Sequence, residues 1–180
     1  MKTIGIDMDD VLNTLVDEWI LNIYNKEYGD TLTIKDVNDW DVTKYVKPEC
    51  GSKIYDILLR PDFFEHLPVK LYAQEVTKRL SEQYDLYVVT AYSPKTVVNK
   101  VNWLAKHFPH INTKHIIFCN AKGLIKTDYL IDDGPHNILD YHNNGGTNPI
   151  VFDRPWNHSL PSTFNRVDNW LQIEKLLCIN

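Results

Sequence analysis

Asp7, Asp9 and Asp10 fall within four positions of "GIDMDDVLN", directly after the short apolar run "KTIGI". Carboxylates this close repel one another, so a folded site holds them only where a cation, a proton or a phosphoryl group makes use of them. In an extended segment, side chains two apart project to the same side, so Asp7 and Asp9 can face one pocket while Met8 points into the packing. Two carboxylates sharing a pocket can divide labour: one stays ionised against a divalent cation and attacks, the other moves a proton. Asp10 then falls in the turn, where its backbone N–H matters more than its carboxylate. A calcium loop does not fit, because counting from Asp7 puts Leu12 where the turn glycine belongs and Val11 where an oxygen ligand belongs.

Further residues of the same chemical kind follow along the chain. Thr90 closes the apolar run "YDLYVVT", where a hydroxyl and free backbone N–H groups ahead of a helix can cradle a phosphate. Lys122 sits in the turn "CNAKG", placed to neutralise phosphoryl oxygens, and "YLIDDGP" ends an apolar run in Asp132 and Asp133, a hard-oxygen ligand with a neighbour to orient it. Each alone has a commonplace reading: an acidic turn, a helix cap, a solvated lysine. Trp40, Phe63 and Phe64 offer either a stacking wall for a nucleobase or ordinary core packing. Trp156 and Asn157 in "RPWN" are a packing loop or part of a rim.

The elements that must position these residues are legible as alternating patterns. Five short apolar runs, "KTIGID", "YDLYVVT", "HIIFC", "YLID" and "PIVF", read as buried strands, with polar residues gathered just after their ends. Ala73, Val76 and Leu80 form one helical stripe; Val97, Val98, Val101, Leu104, Ala105 and Phe108 form another, with Ser93 as its cap and Pro94 in its first turn. The closing "DNWLQIEKLL" reads as a docking helix. Such alternation favours a parallel sheet covered on both faces, with ligands beyond the carboxyl ends of the strands. From Thr14 to Lys70 the rhythm breaks: a helix through Leu15, Trp19 and Ile23 leads into a mostly helical insertion that would hang over the strand ends and exclude water.

Composition narrows the field. The 180 residues suit one main domain, and 43% hydrophobic with 12% aromatic content suits a folded core. A net charge of −5 disfavours a nucleic acid polymer as partner. Cys50, Cys119 and Cys178 lack metal spacing and read as free thiols of a reducing compartment. No apolar stretch suits a signal segment or membrane span, so a cytoplasmic protein without a membrane partner is expected.

Taken in order, DxDxV, Thr, Lys and an apolar run ending in DD, the sequence resembles the haloacid dehalogenase superfamily of phosphotransferases. More narrowly it is similar to the 5′(3′)-deoxyribonucleotidases: "DMDDVL" against that family's DMDGVL, "LIDD" as it stands, and "FDRPWN" against FDxPYN. The resemblance implies a Rossmann-like α/β fold, with residues 1–13 and 71–180 as a three-layer parallel-sheet core and 14–70 as a small helical cap inserted after the first strand. It also implies a magnesium-dependent phosphomonoesterase acting on small nucleoside monophosphates, as a monomer or homodimer. Asp7 would be the nucleophile and a magnesium ligand. Asp9 would be the proton donor and then the base, with its backbone carbonyl on the metal. Thr90 and Lys122 would hold phosphoryl oxygens, Asp132 would complete the ligands, and Asp133 would orient Lys122 or metal-bound water. Asp10 in place of glycine would add charge near the phosphate. Ala91 and Tyr92 in place of serine and proline put substrate choice in question. Alternatives are a phosphatase for another small phosphomonoester, a phospho-accepting signalling module, and a binding protein that has lost turnover.

Overall fold

The computed structural model describes residues 1–177, so Cys178 lies outside the described residues. Strands β1 (Lys2–Ile6), β2 (Tyr84–Thr90), β3 (Ile116–Phe118), β4 (Tyr129–Asp132), β5 (Pro149–Phe152) and β6 (Asn165–Val167) form one parallel sheet in the order β3-β2-β1-β4-β5-β6. The five apolar runs are all strands. The sixth, "NRV", gave no apolar signal because only Val167 of its three residues is buried. Helices are α1 (Asn25–Tyr28), α2 (Ala73–Leu80), α3 (Val97–His107), α4 (Pro135–Asn143) and α5 (Trp170–Leu177).

Successive strand residues such as Leu130 and Ile131, or Ile150 and Val151, are all fully buried, so both faces of the central strands are covered. Burying each such side chain contributes about 1.5–3 kcal/mol, which holds the strand ends in fixed register. This is the doubly wound order in which the chain reverses direction across the sheet between β1 and β4. A crevice forms beyond the carboxyl ends of those two strands. The Asp7 N–H donates to the Ile131 carbonyl at 2.9 Å, carrying the β1–β4 ladder one residue into that crevice.

Two local expectations need correction. Helix α3 begins at Val97, because Ser93 caps it through its backbone carbonyl, which accepts from Thr96 and Val97 N–H groups at 3.0 and 3.2 Å; Pro94 lies in the preceding turn. The helix buries Lys100, Trp103 and Leu104, whereas Val98 and Ala105 face outward.

Residues 14–70 contribute no strand to the sheet. A π-helical segment, Asp17–Tyr24, runs into α1, and short 3-10 turns follow at Ile34–Asp36, Val42–Lys44, Gly51–Leu59 and Phe64–His66. The wider π turn buries Trp19 and Ile20 side by side and leaves Ile23 half-buried, in place of the regular α-helix that the Leu15, Trp19 and Ile23 spacing predicts. Trp19 Nε1 donates to the Ile54 carbonyl at 2.8 Å, tying the segment's own packing together. The segment leaves and returns side by side: Asn13 and Val69 form an antiparallel bridge, Thr14 N–H donates to Pro68 O at 3.0 Å, and Lys70 N–H to Leu12 O at 2.9 Å.

Candidate active site

The crevice gathers Asp7 from beyond β1, Asp132 from the end of β4, Asp133 next to it, and Lys122 from a 3-10 turn (Lys122–Leu124) after β3. All four are at least nine-tenths buried. The Lys122 ammonium lies 2.7 Å from Asp7 Oδ1 and donates to Asp132 Oδ2 at 2.6 Å. Asp132 Oδ1 accepts from Gly134 N–H at 2.8 Å and from Asn137 Nδ2 at 3.0 Å, so its orientation is fixed by the start of α4. Asp133 Oδ2 accepts from Trp156 Nε1 at 3.1 Å, and Asn157 Nδ2 holds the Asp133 carbonyl at 2.9 Å. The orienting groups for Lys122 are therefore Asp7 and Asp132, and Asp133 is tied to the "RPWN" loop.

Burial pushes the Asp7 carboxyl up to about 7, against the pull of Lys122 and with Asp132 and Asp9 adding to the rise. Burial likewise holds Asp133 well above the usual carboxylate range, with Asp7 and Asp132 reinforcing it. For Lys122, burial disfavours the charge but Asp132 and Asp7 outweigh it, so the ammonium is held more firmly than a free lysine. Three acids against one buried ammonium leave a deficit of positive charge.

Asp9 is the more exposed acid, and its carboxylate is held by a residue the sequence reading did not select. Lys100, buried on α3, donates to Asp9 Oδ2 at 2.5 Å and to Thr90 Oγ1 at 2.9 Å. The available signal was a lysine inside an apolar helical stripe, three residues after Val97 and four before Leu104. Thr90 is fully buried, its Oγ1 engaged by Lys100 and its carbonyl accepting from Cys119 N–H at 2.9 Å.

Asp10 departs from expectation. Its φ of +57° is left-handed, a conformation that costs most residues about 1–2 kcal/mol and that aspartate tolerates better than most. Its N–H is not free for a ligand, since it donates to Asn13 Oδ1 at 3.0 Å. Its carboxylate pairs with the Arg154 guanidinium and lies 3.3 Å from Lys70 Nζ, which also donates to the Asp10 carbonyl at 2.7 Å. The extra charge in this turn is thus neutralised by the loop after β5 and by the end of the returning segment of the insertion.

Above the acids opens a cavity of about 430 Å³. Asp7, Asp9, Asp10, Lys122 and Asp133 line its floor; Trp19, Val37, Trp40, Val42, Tyr55 and Leu58 of the insertion form a largely apolar wall. Ala91, Tyr92, Asn120 and His136 complete the rim. Trp40 is half exposed and meets His136 edge-on, ring centroids 4.7 Å apart, across the mouth. Phe63 and Phe64, expected as a base wall, do not line it: they are buried against each other at 5.2 Å, and the Phe64 ring covers Lys100. Of the three aromatics named from the sequence Trp40 alone lines the cavity, and Tyr55, which was not named, lines it as well.

Asp7, Asp132 and Asp133 each offer a carboxylate oxygen, all within 4.8 Å of one another. Hard, buried oxygens with an uncompensated charge fit a small divalent cation. Cys50 and Cys119 are free thiols, and no helix among the described residues is long and apolar enough to cross a membrane.

Comparison with known proteins agrees with this geometry. The family model for 5′ nucleotidase, deoxy (Pyrimidine), cytosolic type C protein matches residues 1–180. The chain is 43% identical to the 5′(3′)-deoxyribonucleotidase of Clostridium acetobutylicum over 176 residues, covering 98% of this chain and 94% of that one. It is 37% identical to the 5′(3′)-deoxyribonucleotidase of Bacillus subtilis, covering 98% of each. Among solved structures, the haloacid dehalogenase-like hydrolase SP0104 from Streptococcus pneumoniae superposes with a TM-score of 0.66 at 13% identity over 98% of each chain. The magnesium-bound HAD-hydrolase YfnB from Bacillus subtilis gives 0.64 at 14% identity over 99% of each. The fold is therefore of the haloacid dehalogenase type, and the chain belongs to the 5′ nucleotidase, deoxy (Pyrimidine), cytosolic type C protein family, hydrolases of phosphomonoesters.

Proposed function

We propose that this protein hydrolyses deoxynucleoside monophosphates to nucleoside and phosphate through a phosphoryl group carried on Asp7. The observation that carries the reading is the buried Lys122 ammonium paired with both Asp7 and Asp132, beneath a cavity walled by Trp40 and Tyr55. The named activity of the relatives supports the same substrate class.

A carboxylate oxygen of Asp7 attacks phosphorus as the bond to the nucleoside oxygen breaks, and Asp9 gives that oxygen its proton. Asp9 then takes a proton from a water that attacks the same phosphorus, releasing phosphate and restoring Asp7. Lys122 neutralises phosphoryl oxygens throughout, and Thr90, buried behind the cavity lining, anchors Lys100 beside Asp9. Asp7, Asp132 and the Asp9 carbonyl would hold magnesium, with Asp133 beside them; bound there, the ion offsets the negative charge of acids and phosphoryl group. Residues 14–70 act as a cap whose apolar wall excludes water and whose Trp40 and Tyr55 present π faces to the base. Asp10 serves the hinge of this cap through Lys70 and Arg154, without touching phosphate. Ala91 and Tyr92 set the rim against the sugar.

The test is phosphate release from deoxy- and ribonucleoside 5′- and 3′-monophosphates, sugar phosphates and p-nitrophenyl phosphate, with and without magnesium. Magnesium-dependent turnover concentrated on deoxynucleotides, abolished in Asp7→Asn with the fold retained, is expected. Turnover confined to sugar phosphates would move the substrate class, and an active Asp7→Asn would remove the nucleophile.

A further inference from the structure

We propose that Lys100 is the positioning residue of the proton-transfer step, holding the Asp9 carboxylate in place and linking its orientation to the packing of Phe64 from the inserted segment. The inference rests on the acid and base roles given to Asp9 above.

An ammonium on the apolar face of a helix is retained only where its charge is paired, and a methionine would satisfy the packing of α3 as well. Lys100 spends its donors on two site residues. Nζ binds Asp9 Oδ2 at 2.5 Å and Thr90 Oγ1 at 2.9 Å, so one group ties the acid to the end of β2. Among the described residues the Asp9 carboxylate has one other hydrogen bond, a long 3.4 Å one from Asn13 Nδ2 to Oδ1, which leaves the rotamer to Lys100. With Oδ2 held, Oδ1 is the oxygen that passes its proton to the departing nucleoside oxygen, which receives the electron pair of the breaking P–O bond.

The remaining side of the ammonium faces the Phe64 ring, 4.9 Å from its centroid, an arrangement that a cation over an aromatic face favours. The stretch carrying Phe64 is fastened to the same helix at both ends. Asn99 donates to the Pro61 carbonyl, and Trp103 Nε1 donates to the Leu67 carbonyl at 2.8 Å. The inserted segment therefore closes the shell around Lys100, and Asp9 is held only where that stretch is seated.

The experiment compares kcat/KM, which reports steps up to leaving-group departure, for the best deoxynucleotide of the panel and for p-nitrophenyl phosphate, whose leaving group departs without a proton. Lys100→Met is expected to lose about 100-fold on the deoxynucleotide, the size of a general-acid contribution, and less than about 10-fold on p-nitrophenyl phosphate. Adding Lys100→Met to Asp9→Asn should cost nothing further, because Lys100 acts through Asp9. Phe64→Leu should show the same substrate bias at smaller size. Equal losses on both substrates in Lys100→Met, while Asp9→Asn discriminates, would overturn the positioning role alone. Equal losses in Asp9→Asn would overturn the acid assignment and the proposal with it. Should Lys100→Met not fold, Lys100→Gln, which keeps a donor without charge, decides by the same ratio.

Discussion

Lys122→Met is the perturbation for which the structure supplies the sharpest expectation. Methionine fills a similar volume, so packing changes little; what disappears is the single buried cation shared by Asp7 at 2.7 Å and Asp132 at 2.6 Å. Removing one partner from a buried ion pair costs about 3–5 kcal/mol, because the remaining charge is stranded away from water. For a chain of this size each kcal/mol moves the thermal midpoint by about 2–4 °C, so a drop of roughly 6–20 °C is expected without divalent metal. The size depends on pH in a definite direction. The Asp7 carboxyl already titrates at about 7, well above its ordinary 3.8, mainly through burial, and Lys122 is the group pulling it down. Without Lys122 it rises further. A carboxyl raised in the folded state destabilises the fold as pH climbs through the folded value, since the unfolded chain is by then already ionised. The deficit of Lys122→Met should therefore be smallest near about pH 5 and grow toward pH 8. Magnesium should restore part of it, because an ion that binds only the folded chain stabilises by mass action. Turnover should stay depressed by about 100- to 1,000-fold even with magnesium, since the proposed mechanism also gives Lys122 the neutralisation of the phosphoryl oxygens. The assay is the thermal midpoint of parent and variant across pH, with chelator and with magnesium, beside phosphate release. A midpoint unchanged at pH 8, or a deficit that shrinks as pH rises, would refute the electrostatic reasoning.

Three further outcomes are expected. Asp10→Gly removes the left-handed strain of a side-chain-bearing residue, worth about 1–2 kcal/mol, but strands Arg154 and Lys70, worth about 3–5 kcal/mol. The net is a loss of roughly 1–4 kcal/mol in urea denaturation, and a more stable variant would show that the ion cluster contributes little. Trp40→Ala should raise KM for a deoxynucleotide about tenfold at nearly constant kcat, in line with the loss of one stacked base, while a sugar phosphate is unaffected; equal changes on both would make Trp40 a structural residue. Burial lowers the pKa of His110, which lies 2.9 Å from Thr77 Oγ1, below its ordinary 6.5. A histidine kept neutral by the fold stabilises it above its unfolded pKa and loses that contribution as pH falls through 6.5 and below. His110→Gln should flatten the decline in thermal midpoint between about pH 7 and 5, and an unchanged slope would place the acid sensitivity elsewhere.

The parts of this molecule legible in its sequence share a physical cause. Buried parallel strands must be apolar on both faces, so their runs stand out, and chemistry collects where each run stops; that is why Asp7, Thr90, Asp132 and Asp133 could be selected from residue type and position. Strand β6 carries no such mark, because two of its three residues are polar. Residues 14–70 are held together by contacts distant along the chain, such as Trp19 with Ile54, and by short turns whose side chains follow no fixed period. Sequence spacing therefore could not tell which aromatics face the cavity, and it favoured Phe63 and Phe64 over Tyr55.

The charges that complete the site were hidden for a different reason: each lies far along the chain from the acid it serves. Lys100 is separated from Asp9 by 91 positions and Arg154 from Asp10 by 144. An acidic cluster in a sequence announces a need for positive charge without saying which lysine or arginine meets it. Two of the answers break a local rule, Lys100 on an apolar helix face and Asp10 in a left-handed turn. Local rules are broken where a distant partner compensates, so a lysine in an apolar stripe and an aspartate at a glycine position are best read together. Here the charges that meet the "DMDD" turn are Lys122 at Asp7, Lys100 at Asp9 and Lys70 with Arg154 at Asp10, and this neutralisation is what lets three neighbouring aspartates stay in one folded turn.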